Sequence, residues 1–217
     1  MQTKRIKNKY NKVKKSWYII IGSLIIVFGI SLITLDMINP YLKEKEEENA
    51  LKEFYIQEEQ QVHVVDEIII KETKEETKST TSNKLDYIAV LKIPKINLEK
   101  GLVSKISKYN DVKYGVEILK ESDSPDVING NVILASHSGT ASISYFRNLD
   151  RINIGEEAII YYRGKTYNYK FTKIYDVEKT GKVAIRRDNN ISTLTLITCR
   201  HNTNKQIVLI AELQNIQ

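Results

Sequence analysis

The chain has 217 residues, 41% hydrophobic and 28% charged, which leaves room for one globular domain with accessory segments and not for a second full domain. Its formal charge of +6 belongs to one end: residues 1–16 hold seven lysines and arginines and no acid, so the remainder sums to about −1. This excludes a nucleic-acid-binding body, which needs its cations on the folded surface, and a single cysteine, Cys199, excludes an intrachain disulfide.

From Trp17 to Leu35 the chain runs through 19 consecutive uncharged residues, close to the roughly 20 that cross a bilayer as a helix. A cleaved signal peptide has a shorter apolar core and ends in a small-x-small site. Here the run leads into Asp36-Met37-Ile38-Asn39-Pro40. The sequence therefore predicts an uncleaved transmembrane anchor over 17–38 that puts the lipid bilayer among the partners. Residues 1–16 form a basic cytoplasmic tail by the positive-inside tendency. The protein is then a single-pass cell-membrane protein with the rest of its chain outside the cell. Residues 39–84 read as a charged stalk. Its first part, Lys43 to Glu59, alternates Glu and Lys around Leu51, Phe54 and Tyr55 at near-helical spacing, as in a single exposed helix. Its last part, Lys71 to Lys84, has no large apolar residue and reads as solvated linker.

Residues 85–217 change character. Short stretches rich in β-branched and aromatic residues recur at Tyr87–Ile93, Asn131–Ala135, Ala158–Tyr162, Thr166–Val177, Thr193–Thr198 and Ile207–Leu213. Turn signals such as Arg163-Gly164 and Asp188-Asn189-Asn190 separate them. Short helices fit Ser107–Tyr114 and Ser144–Asp150. The pattern predicts an all-β domain, an antiparallel sandwich or a closed barrel. The apolar runs Val132–Ser136 and Thr195–Cys199 have the composition of central strands buried on both faces.

Those two runs end on chemistry. His137 closes the first and Cys199 the second, 62 residues later. A thiol needs a base or a neighbouring positive charge to act as a nucleophile at neutral pH, and His137 supplies one if the strands are neighbours. Taken alone, a single cysteine is as readily an inert buried side chain. Arg200, His201 and Lys205 add cations nearby, and an acyl transfer also needs a donor for its oxyanion.

Thr195-Leu196-Ile197-Thr198-Cys199 resembles the TLxTC signature of the sortases, membrane-anchored cysteine transpeptidases of Gram-positive bacteria. The likeness extends to Ile88–Ile96, Gly130–His137 and Tyr145–Leu149, in the family's order and over about residues 86 to 213. It is nearest to class A or D. The resemblance implies an eight-stranded sortase β-barrel with short helices, in which Cys199 and His137 are catalytic. Cys199 would attack the Thr-Gly bond of an LPxTG-like sorting signal on a surface protein or pilin. A thioacyl enzyme would then pass its acyl group to an amine of a peptidoglycan precursor or a pilin. The thioester retains the energy of the peptide bond, so no nucleotide or other cofactor is implied.

One part of the family's pattern is absent. Sortases carry an arginine near the start of the strand after the cysteine, and aligning Ile207–Glu212 with that strand puts Lys205 or Gln206 there. Arg200 and Lys205 stand equally as substitutes for binding the oxyanion or substrate. Neither is equivalent: Lys205 lacks the planar fork of donors, and Arg200 points away from Cys199 if the strand stays extended. The alternative function is a degenerate sortase-like domain that binds wall peptides without catalysis. A serine nucleophile at Ser136 or Ser138 lacks a Gly-x-Ser-x-Gly elbow, Cys-x-His is not a usual zinc spacing, and the scattered acids predict no calcium site.

Overall fold

The computed structural model describes residues 17, 21–31, 42–59 and 85–217. It divides into two compact units, 1–45 and 46–217. In the first, residues 21–31 are helical, with Ile25, Ile26, Val27 and Phe28 exposed. Among the described residues no helix is long and apolar enough to cross a membrane. Residues 18–20 and 32–38 of the expected anchor lie outside the described residues, as do the tail 1–16 and the linker 71–84.

The second unit is built on eight strands: β1 Tyr87–Ile93, β2 Leu98–Val103, β3 Glu117–Ile118, β4 Asn131–Ala135, β5 Glu157–Tyr162, β6 Lys165–Glu178, β7 Thr193–Cys199 and β8 Lys205–Ile216. They form one sheet in the order β2-β1-β5-β6-β8-β7-β4-β3. The edge strands β2 and β3 touch, so the sheet curls into a near-closed barrel and leaves little open edge. Every pairing is antiparallel except β4 with β7. The two-residue β5–β6 turn works because Arg163 and Gly164 both take positive φ, 50° and 69°, the twist that flanking strands favour.

Inward-facing side chains fill the barrel: Leu91, Ile93, Leu134, Tyr167, Tyr169, Phe171, Leu196 and Leu209 are all buried in one cluster. β4 and β7 are buried along almost their whole length, as their unbroken apolar runs predict. Two expectations meet a different outcome. Residues 107–114 form turns and no helix, because the Asp111 carboxylate accepts the N–H of Lys113 and competes for the backbone. Residues 144–150 form turns that lead into one 3₁₀ turn, Leu149–Arg151, and this segment plugs the barrel with Phe146 and Leu149.

The helix over 42–59 exists where its spacing predicts, but from Glu46 onward it belongs to the barrel unit. Ala50 and Phe54, four residues apart on one face, are buried. Tyr55 sets its ring edge-on to Tyr161 at 5.6 Å and donates to Glu99 Oε1 at 2.7 Å. Glu47 takes both the Lys100 ammonium and the Tyr145 hydroxyl. An Ala and a Phe among Glu and Lys read as a solvated face in sequence; the barrel supplies the surface that buries them.

Candidate active site

The single parallel pairing sets side by side the two strands that lead to His137 and Cys199. β4 and β7 run in constant register, Asn131 opposite Thr193 through Ala135 opposite Ile197, a difference of 62 at every step. His137 and Cys199 are separated by the same 62. Past the strand ends the ladder persists, since the Ser136 N–H reaches the Ile197 carbonyl at 3.4 Å. Continued two residues past Ala135, the same register would set His137 opposite Cys199.

Side chains hold this junction. Thr198 Oγ1 donates to the Ser136 carbonyl at 2.7 Å, and Ser138 Oγ donates to the Cys199 carbonyl at 2.6 Å. These two bonds, one to the Ser136 carbonyl and one from the Ser138 hydroxyl, bracket His137 from both sides. The His137 carbonyl accepts the Phe146 N–H at 3.1 Å, which ties it to the core plug. Arg147 folds the intervening loop onto itself through the carbonyls of Thr140 and Ala141. At the base of β4, Asn131 Oδ1 accepts the hydroxyls of Thr193 and Thr195 at 3.0 and 2.9 Å, clamping the two strands inside the protein.

Alternation sorts the faces. Leu194, Leu196, Ile207 and Leu209 belong to the core cluster, and Thr198 pairs with Ile207. Thr195, Ile197 and Cys199 therefore point outward, with Ile210, Val208 and Gln206 opposite them. Cys199 is a free thiol, partly exposed, and His137 is exposed. The segment 179–192 folds over this outer face. Tyr175 Oη donates to the Ala184 carbonyl and accepts the Arg186 N–H, both at 2.8 Å. Arg187 Nη1 donates to the carbonyls of Asn129 at 3.0 Å and Ile191 at 3.2 Å. Ile197, Val208 and Ile210 are buried on that face. On the other flank, Ser136 Oγ donates to the Gly115 carbonyl at 3.0 Å, placing the 104–116 loop beside His137. Asp111 in that loop has its carboxyl held below the usual range, chiefly by the Lys113 N–H, with the charges of Lys113 and His137 adding to it.

The two candidate cations follow the alternation opposite to Cys199. Arg200 Nε donates to Asp176 Oδ1 at 2.8 Å. Lys205 opens β8, is exposed, and sits opposite Glu178 of β6. Both take the alternation step of Ile207 rather than that of Cys199. A cavity of about 150 Å³ opens on that inner side at the barrel mouth, walled by Phe146, Asp150, Thr198, Arg200 and Ile207 and reaching Cys199. Among the described residues no cluster of three or more His, Cys, Asp and Glu side chains is placed to hold a metal ion.

The sortase-domain family model matches residues 91–214, more than half of the chain. The chain belongs to the sortase family of cysteine transpeptidases. Solved structures agree on the fold. Sortase A from Corynebacterium diphtheriae aligns at 24% identity and TM-score 0.53, over 61% of this chain and 62% of that one. A Clostridium perfringens sortase D5 transpeptidase aligns at 21% identity and TM-score 0.56, over 80% of this chain and 98% of that one. Clostridium perfringens sortase C, solved with a C-terminal cell wall sorting motif, aligns at 22% identity and TM-score 0.52, over 60% and 72%. No curated protein matches the chain in sequence.

Proposed function

We propose that the protein is a membrane-anchored sortase that cleaves an LPxTG-like sorting signal between Thr and Gly and transfers the acyl group to an amine. The observation that supports this reading is the 62-residue offset of the β4–β7 register, which His137 and Cys199 share in sequence. Cys199 Sγ, as thiolate, attacks the threonyl carbonyl carbon. The C–N bond to glycine breaks as the His137 imidazolium protonates the departing amine, leaving a thioester on Cys199 and a neutral imidazole. An incoming amine, from a peptidoglycan precursor or a pilin lysine, attacks that thioester. His137 takes the amine's proton, the C–S bond breaks, and the thiolate and imidazolium return.

Beneath 179–192 the outer face is apolar, with Ile197, Val208 and Ile210 buried there and Cys199 at one end. The segment 17–38 anchors the enzyme in the cell membrane, with its tail in the cytoplasm and its barrel outside, among surface-protein and wall-precursor substrates. A second reading, a degenerate domain that only binds wall peptides, draws on one observation: neither Arg200 nor Lys205 shares the face of Cys199.

Incubating the purified protein with a quenched LPxTG peptide pool and an amine acceptor separates the two. Catalysis gives a thioacyl adduct on Cys199 by mass spectrometry together with peptide cleavage. Cys199→Ala then abolishes both, and His137→Ala lowers turnover by about 10²–10⁴-fold. Absence of adduct and cleavage with the native protein, or full turnover by Cys199→Ala, refutes the enzymatic reading.

A further inference from the structure

Beyond Cys199 the chain reverses through residues 200–204 into β8, and the ladder determines which side chain faces the thiol. Cys199 pairs with Gln206, Thr198 with Ile207 and Ile197 with Val208. The Arg200 N–H donates to the Lys205 carbonyl at 2.9 Å, so 200 and 205 form a hydrogen-bonded pair. The next pair, Cys199 with Gln206, is then of the non-hydrogen-bonded kind, in which Cα atoms lie about 4.5 Å apart and side chains come closest.

Gln206 is half-buried, and its carboxamide makes no hydrogen bond to any described residue. Its neighbour on the other side, across β6, is Val177, which offers the amide nothing. A half-shielded primary amide thus stands with two N–H donors and one acceptor uncommitted beside the chain's only thiol. The nearby cations are turned away: Arg200 is bound to Asp176, and Lys205 follows the opposite alternation.

We propose that the Gln206 carboxamide binds the substrate carbonyl oxygen and stabilises the oxyanion that forms when Cys199 attacks. This rests on the proposed function and names the donor that the missing arginine leaves open. A fixed amide dipole aimed at developing negative charge stabilises a transition state without a formal charge of its own. Two N–H groups on one nitrogen let it hold the oxyanion while the amide oxygen takes an N–H of the extended peptide. Donation comes from the outer face, where the substrate lies, and not from the barrel mouth.

The test compares Gln206→Ala, Gln206→Glu and Gln206→Arg with the native protein, reading thioacyl formation from the LPxTG peptide pool and the rate at which iodoacetamide alkylates Cys199. Alkylation builds no oxyanion, so a donor for the oxyanion leaves it within about threefold, whereas loss of one such donor lowers turnover by about 10²–10³-fold, mostly in kcat. Gln206→Glu, the same shape without the donors, is at least as impaired as Gln206→Ala, and Gln206→Arg recovers most of the rate. Three results overturn the proposal: Gln206→Ala keeping pace with the native protein, alkylation falling in parallel with turnover, or Arg200→Ala or Lys205→Ala costing more than Gln206→Ala. A native protein that turns nothing over removes the proposed function and this inference together. A native protein that works while Gln206→Ala works equally well removes this inference alone.

Discussion

Replacing Asn131 with alanine tests whether the strand clamp beneath the site stabilises the fold as its geometry requires. Asn131 is 5% exposed, and its Oδ1 is the acceptor for two hydroxyls, Thr193 at 1% exposure and Thr195 at 0%. Truncation removes two hydrogen bonds worth about 0.5–1.5 kcal/mol each and leaves buried hydroxyl donors that cost about 1–3 kcal/mol when unpaired. Both hydroxyls lose their acceptor, although Thr193 keeps the bond it accepts from Arg187 Nη1 at 3.3 Å, and the total comes to about 3 kcal/mol. For a domain of this size each kcal/mol lowers Tm by about 2–4 °C, so the melting point falls by about 6–12 °C. Urea unfolding followed by circular dichroism measures the free energy directly. The companion variant, Asn131→Leu with Thr193→Val and Thr195→Val, removes donors and acceptor together and returns to within about 1.5 kcal/mol of the native protein. A loss below about 0.5 kcal/mol in Asn131→Ala, or no recovery in the triple variant, refutes the reasoning.

Arg187→Ala frees the 179–192 segment from the carbonyls of Asn129, Gly130 and Ile191. Tryptic cleavage at Lys182 and Arg186 then accelerates while the melting point of the barrel moves little; unchanged cleavage would show that Arg187 is not the anchor. The docked helix carries a pH dependence. Burial, the hydrogen bond to Glu99 and its charge push the Tyr55 phenol above its ordinary range, and burial with the nearby Glu47 does the same for Tyr145. A raised folded-state pKa means stability that is complete below about pH 10, the ordinary tyrosine value, and is lost as pH rises through the folded pKa. In a 295 nm titration Tyr55 and Tyr145 therefore ionise above the ordinary tyrosine range. Tyr55→Phe leaves the change near pH 10 intact, and loss of one phenol from that range contradicts the assignment.

The barrel was legible in the sequence for a physical reason. Strands buried on both faces need unbroken apolar runs, and Val132–Ser136 and Thr195–Cys199 are such runs, each ended by a residue that carries chemistry. Short or interrupted elements were not legible. β3 has two residues, too few to show a period, and the turns of 107–114 follow from a side chain competing for its own backbone. The contacts of the 42–59 helix depend on residues from 99 to 164, which no local pattern encodes. Facing was legible only in part. Alternation alone predicts that Arg200 turns from Cys199, but Gln206 emerges as its opposite number only once the hairpin register is known.

The parallel register of β4 on β7 also divides the chain by its tolerance of insertions. Residues added in an exposed connection such as 179–183 lengthen that segment and leave the strand ends where they are, at a chain-entropy cost that grows only with the logarithm of length. A single residue added within 131–137 or 193–199 shifts one strand by a step and turns His137 or Cys199 into the barrel. The connecting segments are free to change length, while the paired residues of β4 and β7 must keep their count.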